Sequence, residues 1–144
     1  DAQYRARINH QWDGMEKLPG TYPFTLDRSV KAYRLNNFLH ELIKPEFRKQ
    51  FLADAEPLFE QHALTEQERD MVRRRDWRAL IQYGVIFFLL EKLGAVVGTT
   101  NLHIYAAMRG QSLEDFQKTR NAQVLYSVAG QDAGKKDWDT PVRR

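Results

Sequence analysis

Between Trp77 and Leu90 the apolar positions close up until Val85-Ile86-Phe87-Phe88-Leu89-Leu90 contains no polar residue. A helix that is apolar all round must be buried on every side, at the centre of a domain or against another chain. The pattern therefore predicts one core helix running from residue 77 through residue 90, with Asp76 able to cap its start. Elsewhere the apolar residues keep to one helical face. Ile8, Trp12 and Met15 mark a short amphipathic helix over residues 4–16, and Val30, Tyr33, Leu35, Phe38, Leu39 and Leu42 mark a long one over 28–43. Pro45 stops the latter, because it disfavours the α conformation at Lys44. Between the two, Leu18-Pro19-Gly20-Thr21-Tyr22-Pro23-Phe24 reads as an extended connector, with Thr25 or Asp27 as the cap that follows.

Phe47, Phe51 and Leu52 place a shorter helix over 46–53, and Pro57 opens another that carries Leu58, Phe59 and His62. Thr65-Glu66-Gln67-Glu68 has the spacing of a capping box and starts a helix over 66–74. Gly94 and Gly98 loosen the end of the core helix, and over 99–107 the residues Leu102, Ile104 and Tyr105 fit a strand or a helix equally. Ser112-Leu113-Glu114-Asp115 has capping-box-like spacing and begins a last helix to about Thr119. After Asn121 the pattern fades, and residues 129–144, with Trp138 standing alone, are too polar to bury a core of their own. The expected architecture is all-α: one domain over 1–144, a small compact bundle of short helices around one apolar core helix, with an extended C-terminal tail.

Composition narrows this picture without redrawing it. With 144 residues, 42% of them apolar, such a chain buries roughly 70% of its unfolded surface and needs no staple. The absence of cysteine removes disulfides, thiolate metal sites and cysteine nucleophiles, and makes the cytoplasm the expected compartment. A net charge of +3, from 22 basic and 19 acidic side chains interspersed along the chain, is too mild to argue for nucleic acid. The longest apolar run is far short of the ~20 residues of a membrane span, and the first residues are polar rather than signal-like. A start at Asp1 rather than Met reads as processing or omitted residues. Aromatics at 12% exceed what a small core needs, and aromatics favour partner interfaces.

Candidate chemistry is sparse. His10, His40, His62 and His103 lie far apart, and His40-Glu41 fails as a zinc-protease helix because Lys44 stands where its second histidine belongs. Gly94 to Gly98 lacks the Lys and Ser/Thr of a phosphate loop. Arg73-Arg74-Arg75, with Arg69 and Arg78, suits phosphate or an acidic partner, but Glu66, Glu68, Asp70 and Asp76 at helical spacings favour a solvated, ion-paired face. Phe87 and Phe88 read as packing before cofactor contacts. The residues alone thus describe a helical domain without a self-sufficient active site, and a non-catalytic helical interaction protein stays open.

Several motifs together carry a resemblance. Leu18-Pro19-Gly20-Thr21 with Phe24, Lys31-Ala32-Tyr33-Arg34-Leu35-Asn36-Asn37-Phe38, Phe47-Arg48 with Phe51-Leu52-Ala53-Asp54, Arg75-Asp76-Trp77, Phe88-Leu89 with Lys92-Leu93, and Leu113-Glu114-Asp115-Phe116 resemble the alpha subunit (LigA-like domain) of protocatechuate 4,5-dioxygenase and related class III extradiol dioxygenases. Tyr83-Gly84-Val85 through Lys92, and Leu125-Tyr126-Ser127-Val128-Ala129-Gly130, are more similar to the branch in which this helical domain is fused behind the catalytic domain of gallate dioxygenases.

The resemblance implies a helical lid or small subunit of an enzyme that opens a catecholic or galloyl acid ring with Fe(II) and O2. Its iron ligands and catalytic base are expected in a partner, a catalytic beta subunit or a fused catalytic domain, and none in this chain. A dimer of the fusion or an alpha2beta2 assembly is expected, with no nucleic-acid or membrane partner. Gallate is the first expected substrate, because Asn101 stands where the protocatechuate subunit has an aromatic lid residue, and protocatechuate is the second. By position the resemblance carries Glu91, Tyr105 and Tyr126 as substrate-binding residues, with Asn101 and His103 behind them. Glu91 follows the apolar run directly, so it reads as a buried carboxylate in need of a donor such as a substrate hydroxyl.

Overall fold

Local stop signals cut the chain into short helices. The computed structural model describes residues 2–3, 14–17 and 21–119. Within them run α1 (Leu26–Lys31), α2 (Tyr33–His40), α3 (Pro45–Ala53), α4 (Glu56–Gln61), α5 (Glu66–Arg73), α6 (Trp77–Tyr83), α7 (Phe87–Val97), α8 (Asn101–Met108) and α9 (Leu113–Thr119). Turns of 3-10 helix lie at Met15–Lys17 and Glu41–Ile43, and no strand occurs among the described residues. None of the helices is long and apolar enough to cross a membrane. The helix expected over 4–16 is described only at 14–17, and the tail over 129–144 with Trp138 lies outside the described residues.

The predicted caps form. Thr25 Oγ1 accepts from the Arg28 N–H at the start of α1, and Asp76 Oδ1 accepts from the Ala79 N–H at 3.0 Å at the start of α6. At α5 the capping box is complete: Thr65 Oγ1 accepts from the Glu68 N–H and Glu68 Oε2 accepts from the Thr65 N–H. Ser112 Oγ accepts from the Asp115 N–H and starts α9. Each such cap stabilises its helix by about 1 kcal/mol relative to alanine. Residues 101–108 settle as helix α8, with Ile104 and Ala106 facing the core.

Two expected helices are each divided. The segment over 28–43 breaks at Ala32, which is fully buried, so that Val30 and Tyr33 face solvent while Leu35, Phe38, Leu39 and Leu42 enter the core. The segment over 77–90 breaks at Gly84, whose φ of +123° is a region that side chains rarely adopt. A Cβ there would stand 2.5 Å from the Arg28 carbonyl oxygen, so α1 seats directly on this turn. The apolar run is therefore a turn followed by the first turn of α7, and it is not buried all round. Val85, Leu89 and Leu90 point inward, whereas Ile86 is partly exposed and Phe88 is 75% exposed.

Even so, α7 is the central helix. It packs against α2, α6, α8 and the turn at Glu41–Ile43, and buries Leu89, Leu90 and Leu93. A Cβ on Gly94 would stand 2.7 Å from Ile104 Cδ1, so the missing side chain is what lets α8 close on α7. At the other end of the core, Phe38 sits among Phe47, Phe51, Phe59 and His62 with ring centroids between 5.3 and 6.1 Å apart. Arg73 pairs with Glu56 and Glu66, and Arg74 with Asp70, which makes the basic run the solvated, ion-paired face its spacing predicts.

Candidate functional site

The turn between α6 and α7 sets where α7 begins, and α7 carries the candidate site. Phe87 opens the helix and Glu91 follows one turn later, on the same side. Across from them α8 presents Asn101 in its first turn and Tyr105 one turn on. Tyr105 Oη donates to Glu91 Oε1 at 3.0 Å, and Asn101 Nδ2 donates to the same oxygen at 2.8 Å. The Tyr105 ring lies against Phe87, with centroids 5.7 Å apart and planes 22° from parallel. Of the five expected binding residues, the fold thus brings Glu91, Asn101 and Tyr105 onto one carboxylate. His103 turns aside and shares a hydrogen bond of 2.8 Å with Thr100 through Nδ1. Tyr126 lies outside the described residues.

Glu91 differs from its expected state. It is half-buried rather than sunk in the core, and it already holds two donors from its own chain. Its second oxygen, Oε2, has no hydrogen-bond partner among the described residues. The Glu91 hydrogen bond holds the Tyr105 phenol above its ordinary value of 10.0, with burial and the carboxylate charge acting in the same direction. A raised value favours the neutral phenol. The stabilisation it brings is complete below pH 10 and is lost as pH rises through the shifted value, so Tyr105 stays a neutral donor throughout the physiological range.

Two grooves are lined in part by residues of α7. One, of about 210 Å3, is lined by Phe24, Val85, Ile86, Phe87 and Phe88. The other, of about 420 Å3, lies between Leu42 and Leu52 on one side and Lys92 and Val96 on the other, with Arg48 at its edge. The exposed side chains Phe24, Ile86 and Phe88 form the rim of the first. Residue pattern alone gave Phe87 and Phe88 to the core. Gly84, immediately before the apolar run, was the local signal that the expected helix breaks there.

The three described histidines stand apart. His40 is exposed on α2, and His62 packs edge-on against Phe38 and Phe47. No group of three His, Cys, Asp or Glu side chains among the described residues is placed to hold a metal ion.

Residues 35–121 match the family model described as aromatic-ring-opening dioxygenase LigAB, LigA subunit. Over 128 residues the chain is 62% identical to gallate dioxygenase of Pseudomonas putida. That match covers 89% of this chain and 38% of the relative, so the chain spans about two fifths of the relative's length.

Proposed function

The chain belongs to the LigA family of aromatic-ring-opening dioxygenase subunits, and from that membership we propose that it is the helical lid of an extradiol dioxygenase acting on gallate. The lid closes over the mouth of a catalytic unit, either a separate beta subunit or a fused catalytic domain. That unit corresponds to the part of the relative's length that this chain does not span. The Fe(II) implied by the family has no ligand set among the described residues, in which His62 packs on Phe38 and His103 bonds Thr100. We place the metal in the catalytic unit, and no step of this chain runs through it. What this chain contributes is enclosure, exclusion of water and a grip on the ring.

The observation that carries this reading is the half-buried Glu91, one oxygen pinned by Asn101 and Tyr105 and the other without a partner among the described residues. A carboxylate accepts from hydroxyl groups and repels another carboxylate, and Tyr105 has committed its one proton to Glu91. The site therefore suits the hydroxylated edge of a ring better than its acid group. That preference favours gallate, with three hydroxyls, over protocatechuate, with two. Tyr126 and His103 complete the proposed set of substrate contacts, His103 at its margin. The apolar rim at Phe24, Ile86 and Phe88 supplies the face that meets the catalytic unit.

Oxygen uptake with gallate and Fe(II) tests the proposal. Uptake is expected from the catalytic unit combined with this domain and not from either one alone, whereas turnover by this domain alone would overturn it. In the assembled enzyme, Glu91→Gln is expected to lower kcat/KM at least tenfold, a loss of about 1.4 kcal/mol in transition-state binding, with an unchanged melting temperature. An equal loss of activity and stability would return Glu91 to ordinary packing.

A further inference from the structure

Asn36 does something that neither the motif containing it nor the lid reading assigns. Its side chain lies on α2, 92% buried, beneath the turn that separates α6 from α7. Asn36 Nδ2 donates to the Gly84 carbonyl at 3.0 Å, and Asn36 Oδ1 accepts from the Ile86 N–H at 2.9 Å. In an unbroken helix the Gly84 carbonyl would accept from the Phe88 N–H, and the Ile86 N–H would donate to the Gln82 carbonyl. The Asn36 amide takes the place of both bonds. It satisfies the two backbone groups that a divided helix would otherwise leave unpaired, in a place where water has little access.

The consequence reaches the candidate site in two steps. The Ile86 N–H is fixed at the cap of α7, and the next residue is Phe87, the ring on which Tyr105 rests. Tyr105 in turn holds Glu91, one helical turn beyond Phe87. We propose that Asn36 is the positioning residue of the ligand site: by clamping Gly84 and Ile86 it sets the start of α7, and so the placement of Phe87, Tyr105 and Glu91. The inference rests on the reading of Glu91 and Tyr105 as substrate contacts. Gly84 has no Cβ to hold it in one region of φ, and its seat on Arg28 constrains one side of the turn only. The amide constrains the other.

The test is a set of variants of the assembled enzyme, assayed with gallate and followed by thermal melting. Asn36→Ala removes both bonds, and Asn36→Asp keeps the acceptor for Ile86 while removing the donor to Gly84, so the second variant carries the test if the first fails to fold. Either change is expected to lower kcat/KM at least tenfold in the native background. In a Glu91→Gln/Tyr105→Phe background, where the site is already dismantled, the same change is expected to lower it less than twofold, because residues that act through one another are not additive. The melting temperature should fall equally in both backgrounds. The same loss of activity in both would show a general packing role and overturn the proposal. If Glu91→Gln/Tyr105→Phe by itself leaves kcat/KM intact, the substrate reading fails first, and Asn36 then has no ligand site to position.

Discussion

Two glutamates of this molecule each accept a hydrogen bond from a tyrosine, at nearly the same distance, and have different fates. Glu68 on α5 is 2% exposed, and both of its oxygens are used inside the chain, Oε2 by the Thr65 N–H and Oε1 by the Tyr83 hydroxyl at 3.1 Å. Glu91 on α7 is half-buried, and both of its donors crowd onto Oε1, leaving Oε2 without a partner among the described residues. The first carboxylate is a finished structural joint that ties the start of α5 to the end of α6. The second is joined on one oxygen only among the described residues, and its donor Tyr105 rests on the half-buried ring of Phe87. Around Glu68 the charged residues are paired within the fold, as Arg73 with Glu56 and Glu66, and Arg74 with Asp70. At the start of α7, Ile86 and Phe88 are exposed together with Phe24. Where a fold leaves hydrogen-bonding capacity and apolar area unspent side by side, that face is the one to examine for a partner.

The contrast breaks most readily at Phe88. Phe88→Asp places a charge on the most exposed ring of the proposed docking face, and it is expected to weaken association with the catalytic unit roughly a hundredfold, the scale of a central interface anchor. The fold of the domain should be unaffected, since this side chain is 75% exposed. Titration of the catalytic unit with native and variant domain measures the change, and equal affinity would remove Phe88 from the interface. On the other side of the comparison, Glu68→Ala strands the Thr65 N–H and the Tyr83 hydroxyl, and should cost about 2 kcal/mol of unfolding free energy. Denaturant melts read that loss, with kcat/KM of the folded enzyme unchanged. The smallest effect belongs to Arg73→Gln. Its ion pairs are exposed, so the melting temperature should move by only about 1 °C and the shift should vanish in high salt.

Much of the architecture was legible along the chain because the signals are local. Thr65 and Glu68, Asp76, Ser112 and Pro45 act within one helical turn, and each begins or ends a helix where its spacing says it does. The arginine run was legible for the same reason, its partners lying within a few turns in sequence. Periodicity misled in two places, at Ala32 and Gly84, where a helix-compatible sequence is interrupted. At Gly84 the decisive partners are Arg28 and Asn36, dozens of positions away, and no window of neighbouring residues contains them.

The candidate site divides along the same line. Resemblance to a known family picked out Glu91, Asn101 and Tyr105 by position, without saying that all three meet on one oxygen. Their convergence depends on the α7–α8 packing that Gly94 permits against Ile104. It also set His103 beside them, whereas the start of α8 turns that ring toward Thr100. By itself the sequence determined the helical class, the positions of the caps, the ion-paired face and the family. Tertiary structure alone decided that the apolar run is a bend with one ring facing outward, and that a single asparagine holds the bend in place. Helix propensity and capping are short-range energies carried by adjacent residues. The direction in which a helix sets out is fixed by distant groups that satisfy its broken backbone hydrogen bonds.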